Sequence, residues 1–377
     1  MLGDIKLAGR VLSNLEQAVA VQEDRCIRLK HKRSSCQDCV TNCPTEAIKV
    51  GHVRGHILID WEKCVACGIC VNACKTSVFA LKQYTHRDLL ERGRGIIEKR
   101  KGLEIRCSKA DQDPETPSVE VSCLGFINAA HIVAFAAYGA ETIHFRHGNC
   151  HDCEAKWGDA RLLEEMKTAD DILGAFTTNK TISLTVGNYP APFKLRRDEL
   201  EGKKTGAAMS RREFFKYLTR QAGFSAAKTV TVFWDSETKP ARQPIDFNHK
   251  FQPAKRQLLL TALRTSEPPD KKPFDPSKNL ALANMEIESS QCGLCESCAR
   301  FCPTGALTQR TVRDVRGRMI EAELKFYPFR CVKCGFCLEA CFTRALKYGG
   351  SLDKNLFLQE GAILLKHRVK EQILPQE

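Results

Sequence analysis

Two stretches of the chain alternate apolar and polar residues around glycine: AIKVGHVRGHILID (47–60), broken at Gly51 and Gly55, and ALTQRTVRDVRGRMIEAELKF (306–326), broken at Gly317. Period-two alternation on both sides of a glycine predicts a β-hairpin in each. Between them the pattern changes. GLEIRCS (102–108), VEVSC (119–123), ETIHFR (141–146) and TISLTV (181–186) are short β-rich runs. FINAAHIVAFAAYG (126–139) has helical length, and EAKWGDARLLEEMKTADDILGAF (154–176) is apolar at Leu162, Leu163, Met166, Ile172 and Leu173. Strands alternating with helices predict a parallel sheet whose strand ends meet at one edge, the usual place for a site in open α/β folds. One more helix is expected at AKRQLLLTALR (254–264), within a Pro- and Lys-rich stretch (236–291) that reads as an extended connector. The tail NLFLQEGAILLKHRVKEQI (355–373) is expected to extend the last module with a strand and a helix, by packing rather than docking.

Each predicted hairpin is bracketed by cysteines. CQDCVTNCPTEAI (36–48) and CVACGICVNACKTSVFAL (64–81) flank the first; CGLCESCARFCPTGAL (292–307) and CVKCGFCLEACFTRAL (331–346) flank the second, so one architecture occurs twice. Twenty cysteines in 377 residues, most of them in runs of tight C-x-x-C spacing, suit reduced, metal-binding thiols better than the disulfides of short secreted scaffolds. The length suits two or three domains. The formal charge is +13 with every cysteine neutral. A four-iron core with four thiolates carries about −2, so four of them would leave about +5. The basic clusters RLKHKR (28–33), RGRGIIEKRK (92–101) and RTVRDVRGR (310–318) therefore read as solvated faces, or next as docking surfaces for an acidic redox partner, rather than a nucleic-acid surface, since aromatic residues are sparse among them. The most apolar stretch, 126–140, carries Asn128 and His131 and is too short for a membrane span. The N-terminus lacks a basic start, an apolar core and a cleavage site, so a cytoplasmic location is expected. SRREFFKYL (210–218) looks like a twin-arginine export motif, but no apolar run follows it. Ser210 with Glu213 reads as a capping box that starts a helix packed through Phe214, Phe215 and Leu218.

The cysteine runs resemble bacterial two-cluster ferredoxins, whose signature is C-x2-C-x2-C-x3-C-P. In that family three successive cysteines hold one 4Fe-4S cluster and the fourth turns to its neighbour. The resemblance implies that Cys292, Cys295, Cys298 and Cys341 hold one cluster, and Cys331, Cys334, Cys337 and Cys302 another, with Pro303 ending the run. In the first half it implies Cys64, Cys67, Cys70 and Cys43 for one cluster. The fourth set departs from the pattern: Arg33 stands where a cysteine belongs. Cys26, across the loop IRLKHKRSS (27–35), is the expected substitute beside Cys36, Cys39 and Cys74. Were Cys26 not to reach, a three-iron cluster or a labile fourth site would follow.

VSCLGFINAAHIVAFAAYGAETIHFRHGNCHDC (121–153) resembles the iron–sulfur delta subunit that links methyl-viologen-reducing hydrogenase to heterodisulfide reductase. That resemblance implies a fifth group, 2Fe-2S or 4Fe-4S, on Cys107, Cys123, Cys150 and Cys153. The sequence departs from the family in two ways. Cys107 stands alone where the family has further cysteines, and SKADQDPETPS (108–118) is shorter than the dozen or more residues a parallel crossover takes. Strand, C-x-x-C, helix is also the order of a thioredoxin-like dithiol, in which the helix N-terminus lowers a thiol pKa. His147 and His151 read as ordinary residues rather than ligands.

The expected fold is α+β overall. Along the chain it comprises a helical N-terminal segment (1–25), a dicluster ferredoxin module (26–84) and a small α/β domain with a βαβ parallel sheet (102–188). A helix-containing linker (189–285), a second dicluster ferredoxin module (286–350) and an extension (351–377) complete it. The expected function is a multi-cluster electron-transfer subunit of a hydrogenase, formate dehydrogenase or heterodisulfide reductase-like complex. Its partners would be redox proteins, with no nucleic acid, no direct membrane span and no catalytic residue of its own. GRGIIEKRKG (93–102) is not a G-x-G-x-x-G loop after a strand, which disfavours direct use of nicotinamide or flavin. Two other readings compete: a thiol–disulfide enzyme using Cys150 and Cys153 fed by ferredoxin clusters, and a redox sensor or cluster carrier without turnover.

Overall fold

A computed structural model describes residues 18–51, 55–111, 116–177, 182–187, 250–265, 272–277 and 279–369. Residues 1–17 of the expected N-terminal helical segment, the SRREFFKYL helix, most of the linker and the last eight residues lie outside the described residues. The first module contains β1 (Val19–Val21), α1 (Ile27–Lys30), α2 (Asp38–Thr41), β2 (Ile48–Val50), β3 (Ile57–Ile59), α3 (Ile69–Ala73) and β4 (Phe79–Leu81). β2 and β3 form the antiparallel hairpin expected from the alternation, and β1 pairs antiparallel with β4. The described end of the 1–25 segment is thus a strand followed by a 3-10 turn (Glu23–Arg25), not a helix. Its β-branched VAV run buries Val19 against the cluster-loop strand that ends at Leu81.

The central domain opens with α4 (His86–Arg100), which the pattern reading passed over as a basic cluster. Thr85 caps it: its hydroxyl accepts from the Asp88 amide, and the Asp88 carboxylate accepts from the Thr85 amide at 2.8 Å. There follow β5 (Gly102–Cys107), β6 (Ser118–Val121), α5 (Ala129–Ala137), β7 (Thr142–Arg146), α6 (Gly158–Phe176) and β8 (Ser183–Val186). The strands form one parallel sheet in the order β6-β5-β7-β8. β5 and β6 are parallel neighbours, which corrects the expectation that residues 108–118 are too few for a crossover. β6 pairs only with Glu104–Cys107, so the chain returns over about 13 Å, a span a short loop covers without a helix. Gly93 of α4 admits the ring of Phe135 from α5, since a Cβ there would lie 2.3 Å from Phe135 Cε1.

α7 (Ala254–Arg264) is the helix expected in the connector, but it is not extended away from the body. It lies on α5 and buries Leu259, Leu260, Ala262 and Leu263 in the core shared by the first module and the central domain. The second module contains β9 (Asn284–Ile287), α8 (Ser297–Phe301), β10 (Leu307–Arg313), β11 (Met319–Phe326), α9 (Phe336–Ala340) and β12 (Leu346–Gly349). It repeats the first: a β10-β11 hairpin, and a β9-β12 pair in place of β1-β4. The tail adds α10 (Lys354–Leu358) and then β13 (Ile363–Val369), which pairs with β11. No helix among the described residues is long and apolar enough to cross a membrane.

Candidate metal centres

The cluster loops share a backbone device. Ala66, Leu294 and Lys333, two residues after the first cysteine of their runs, all have left-handed φ (53°, 55° and 51°). Glu46, Ser77, Gly305 and Arg344, three residues after the last cysteine, do as well (54°, 52°, 65° and 55°). The left-handed residue turns the next amide back on the thiol. Ala47 N–H donates to Cys43 Sγ at 3.3 Å, Val78 N–H to Cys74 Sγ at 3.4 Å and Ala306 N–H to Cys302 Sγ at 3.2 Å. Amide donors aimed at sulfur stabilise thiolate charge and raise the potential of a bound iron–sulfur group.

Packing sorts the module thiols into four sets. Cys39 feels Cys74, Cys26 and Cys36. Cys70 feels Cys67, Cys64 and Cys43, and these four thiols line one small cavity with Val19, Ile48 and Ile59. Cys298 feels Cys292, Cys295 and Cys341, and Cys337 feels Cys334, Cys331 and Cys302. The structure thus brings together the cysteines that the ferredoxin resemblance groups, with Cys26 beside Cys36, Cys39 and Cys74. Burial pushes the Cys36 thiol up to about 11 and Cys67 and Cys298 up to about 12, so a charged thiolate at these positions needs a metal cation beside it. Among the described residues, no three His, Cys, Asp or Glu side chains draw close enough to hold a single metal ion. An iron–sulfur core spreads its four thiolates over several metal ions. Donor chemistry, amide donors and the thiol-lined cavity all fit such a core.

The four remaining thiols meet at the C-terminal edge of the parallel sheet. Cys107 ends β5, Cys123 follows β6, and Cys150 and Cys153 follow β7. Cys123 feels Cys150 and Cys107, and Cys150 feels Cys107 and Cys153. Gly148 N–H donates to Cys107 Sγ and Gly125 N–H to Cys123 Sγ, both at 3.4 Å. Cys107 therefore faces the others. His147 Nδ1 lies 2.6 Å from the Gly148 carbonyl and His151 Nδ1 3.0 Å from Asp152, so Nδ1 of each ring is engaged outside the thiol group. α6 begins at Gly158, beyond the C-x-x-C turn, and burial pushes Cys150 up to about 12. This is the reverse of the lowered thiol a helix N-terminus gives a reactive dithiol. At Gly158 a Cβ would lie 2.4 Å from Cys123 Sγ. Gly158→Ala should therefore displace Cys123; were these thiols to hold an iron–sulfur group, iron analysis of the purified protein would then show about two to four fewer irons, with about 16 left in the modules.

Several functional side chains escaped the sequence reading. Lys255, at the start of α7, donates to the carbonyls of Val71 (3.2 Å), Asn72 (2.6 Å) and Cys74 (2.9 Å). Arg256, the next residue, donates to the carbonyls of Ala281 and Cys331. Adjacent cations thus hold one cluster loop of each module. Asn72 Nδ2 donates to the Gly125 and Ile127 carbonyls at 3.1 and 2.9 Å, tying α3 to the turn after Cys123.

A buried histidine pair sits beside that tie. His131 Nδ1 accepts from the Asn128 amide at 3.3 Å, which leaves Nε2–H to donate to His86 Nδ1 at 2.8 Å. Burial, aided by the charge of Lys255, lowers His86 to about 4. With an unfolded value near 6.5, this stability is present above pH 6.5 and lost as pH falls toward 4. Between pH 7 and pH 5 the wild type should lose about 2 kcal/mol more stability than His86→Gln, which keeps an acceptor without titrating. Chemical denaturation at the two pH values checks this; equal losses would refute it.

Residues 34–79 and 285–352 each match a family model described as a 4Fe-4S dicluster domain. The NADH-quinone oxidoreductase subunit I 2 of Geobacter metallireducens is 28% identical over 111 residues, 29% of this chain and 84% of that protein. The aliphatic sulfonate oxidoreductase, polyferredoxin-like subunit of Pyrococcus furiosus is 41% identical over 54 residues, 14% of this chain and 31% of that protein. The chain carries two 4Fe-4S dicluster domains, which between them provide for four 4Fe-4S clusters.

Proposed function

We propose that the protein is an iron–sulfur electron-transfer subunit of a cytoplasmic oxidoreductase complex, with four 4Fe-4S clusters in its modules and a fifth, smaller or equal group in its central domain. The observation that carries this reading is the convergence of all twenty cysteines into five sets of four. Bound clusters supply reversible one-electron chemistry. The chain's own residues do the rest. Thiolates hold the iron, amides such as those of Ala47, Val78 and Ala306 stabilise the charge on sulfur, and Ile69, Phe336 and Ala340 keep water from the thiols packed on them. Both named relatives are subunits of oxidoreductases, which supports a place within a larger assembly. The central set is the one that would ally the chain with the delta subunits of hydrogenase and heterodisulfide reductase systems. Anaerobically purified protein should contain about 16 irons from the modules and two to four more from the centre. A count near eight would overturn the four-cluster reading, and a count of 16 would remove the fifth.

A further inference from the structure

Sequence order puts the central domain between the two ferredoxin modules, but packing puts it at one end. Cys123 and Cys153 share an apolar contact with Ile69 and Ala155, and Cys67 of the first module packs against the same contact, close enough to Cys123 to act on its charge. Within that module Cys70 is close enough to Cys39 to feel its charge. The two modules then meet directly. Ile27, Phe336 and Ala340 form a shared apolar contact against which both Cys36 and Cys334 pack. Lys75 Nζ donates to the Lys333 carbonyl at 3.1 Å, and the Ser35 amide donates to Glu339 at 3.2 Å, which closes the junction. Inside the second module Cys337 feels Cys298. In the last set Cys295 is exposed, and it is the one exposed cysteine of the twenty.

A direct route from the centre to the second module is long. The central domain touches the C-terminal extension through Phe176, whose ring lies 5.6 Å from that of Phe357. Phe176 is the last residue of α6, whereas the thiols sit beside its first. The nineteen residues of α6 separate the two by about 28 Å, and even the nearer contact, where Asn279 Nδ2 donates to the Thr168 carbonyl at 3.3 Å, lies about 15 Å along α6 from its start, while tunnelling falls exponentially with distance.

We propose that the five thiol sets form one unbranched path, in the order of the sets containing Cys150, Cys67, Cys39, Cys334 and Cys295. The order rests on the reading that each set holds an iron–sulfur group. Each transfer moves one electron between neighbouring sets: the donor set is oxidised by one and the acceptor set reduced by one, with no bond made or broken and no proton moved, and a redox partner of the proposed complex supplies or takes the electron at an end of the path. The central site is then a terminus, with the exposed Trp157 and His151 at its mouth.

The test uses full-length protein purified anaerobically and reduced with dithionite, with iron analysis and electron paramagnetic resonance on the same samples. Cys64→Ala and Cys295→Ala identify the signals of their own sets by the signal each removes. The combined variant Cys150→Ser with Cys153→Ser then empties the centre, and Gly158→Ala serves as a second, milder way to do so. The expected result is a loss of about two to four irons together with slowed spin relaxation of the signal that Cys64→Ala removes, while the signal that Cys295→Ala removes is unchanged. A change in the Cys295 signal, or no change in either signal despite lost iron, would overturn the order. Unchanged iron content in the emptied variants would instead overturn the fifth-group reading, and with it the terminal station.

Discussion

Cys26→Ala should cost one of the four irons at a single centre and leave the other sets untouched. The expected signature is a three-iron signal in the oxidised protein and a loss of about one iron per chain. Cys26 is buried between the 3-10 turn Glu23–Arg25 and α1, and its neighbours fix that turn from both sides. Glu23 accepts from the Ile57 amide at 2.6 Å, and Arg25 donates to the Ser77 carbonyl at 3.3 Å. The turn therefore survives removal of a side chain that ends in one sulfur, and Cys36, Cys39 and Cys74 keep their places. Arg28 helps by donating to the Cys36 carbonyl at 3.3 Å across the long loop. Arg33, at the position the common motif gives to cysteine, instead stacks its guanidinium 3.7 Å from the ring of Phe342 in the second module. A variant with undiminished iron and an unaltered spectrum would show that Cys26 is not a ligand.

Cys26 stood out in the sequence as the cysteine nearest upstream of an incomplete motif, and the fold brings it beside Cys36, Cys39 and Cys74. The hairpins at 47–60 and 306–326 were legible because alternation and glycine breaks are local. α4 was not, although Thr85 and Asp88 carry its capping signal, because its charged surface drew attention from Leu89, Leu90 and Ile97 on its buried face. The parallel neighbour pair β5-β6 contradicted a rule about crossover length that assumes longer strands. Lys255 and Arg256 were hidden for a different reason. In a Lys- and Pro-rich stretch two cations look like solvated linker, and only packing of α7 on α5 turns them inward. The order of the five thiol sets is likewise invisible in the chain, because it depends on which surfaces of Ile69 and Ile27 find partners.

Lys255→Met should shift one potential, and Arg256→Met a different one. The Lys255 ammonium caps the last turn of α3 through three carbonyls, ending at Cys74, and it lies where a helix C-terminus concentrates negative partial charge. Burial lowers its pKa, and the nearby Cys74 and Glu165 work against that fall. Methionine keeps the stem but leaves three acceptors without their donor, a loss of about 2 kcal/mol in stability. Removing a fixed positive charge beside Cys74 also disfavours an added electron, so the centre on Cys26, Cys36, Cys39 and Cys74 should become harder to reduce. Arg256 acts in the same way on the Cys331 carbonyl, one module further along. A potentiometric titration followed by electron paramagnetic resonance should therefore show a negative shift confined to the first module's signal in Lys255→Met, and to the second module's in Arg256→Met. If both variants shifted the same signal, or shifted it upward, the two cations would not be acting on separate cluster loops. If the two shifts are seen, adjacent residues on one helix that address two modules would set the relative potentials on either side of the junction at Ile27 and Phe336, and so bias the direction in which electrons cross it.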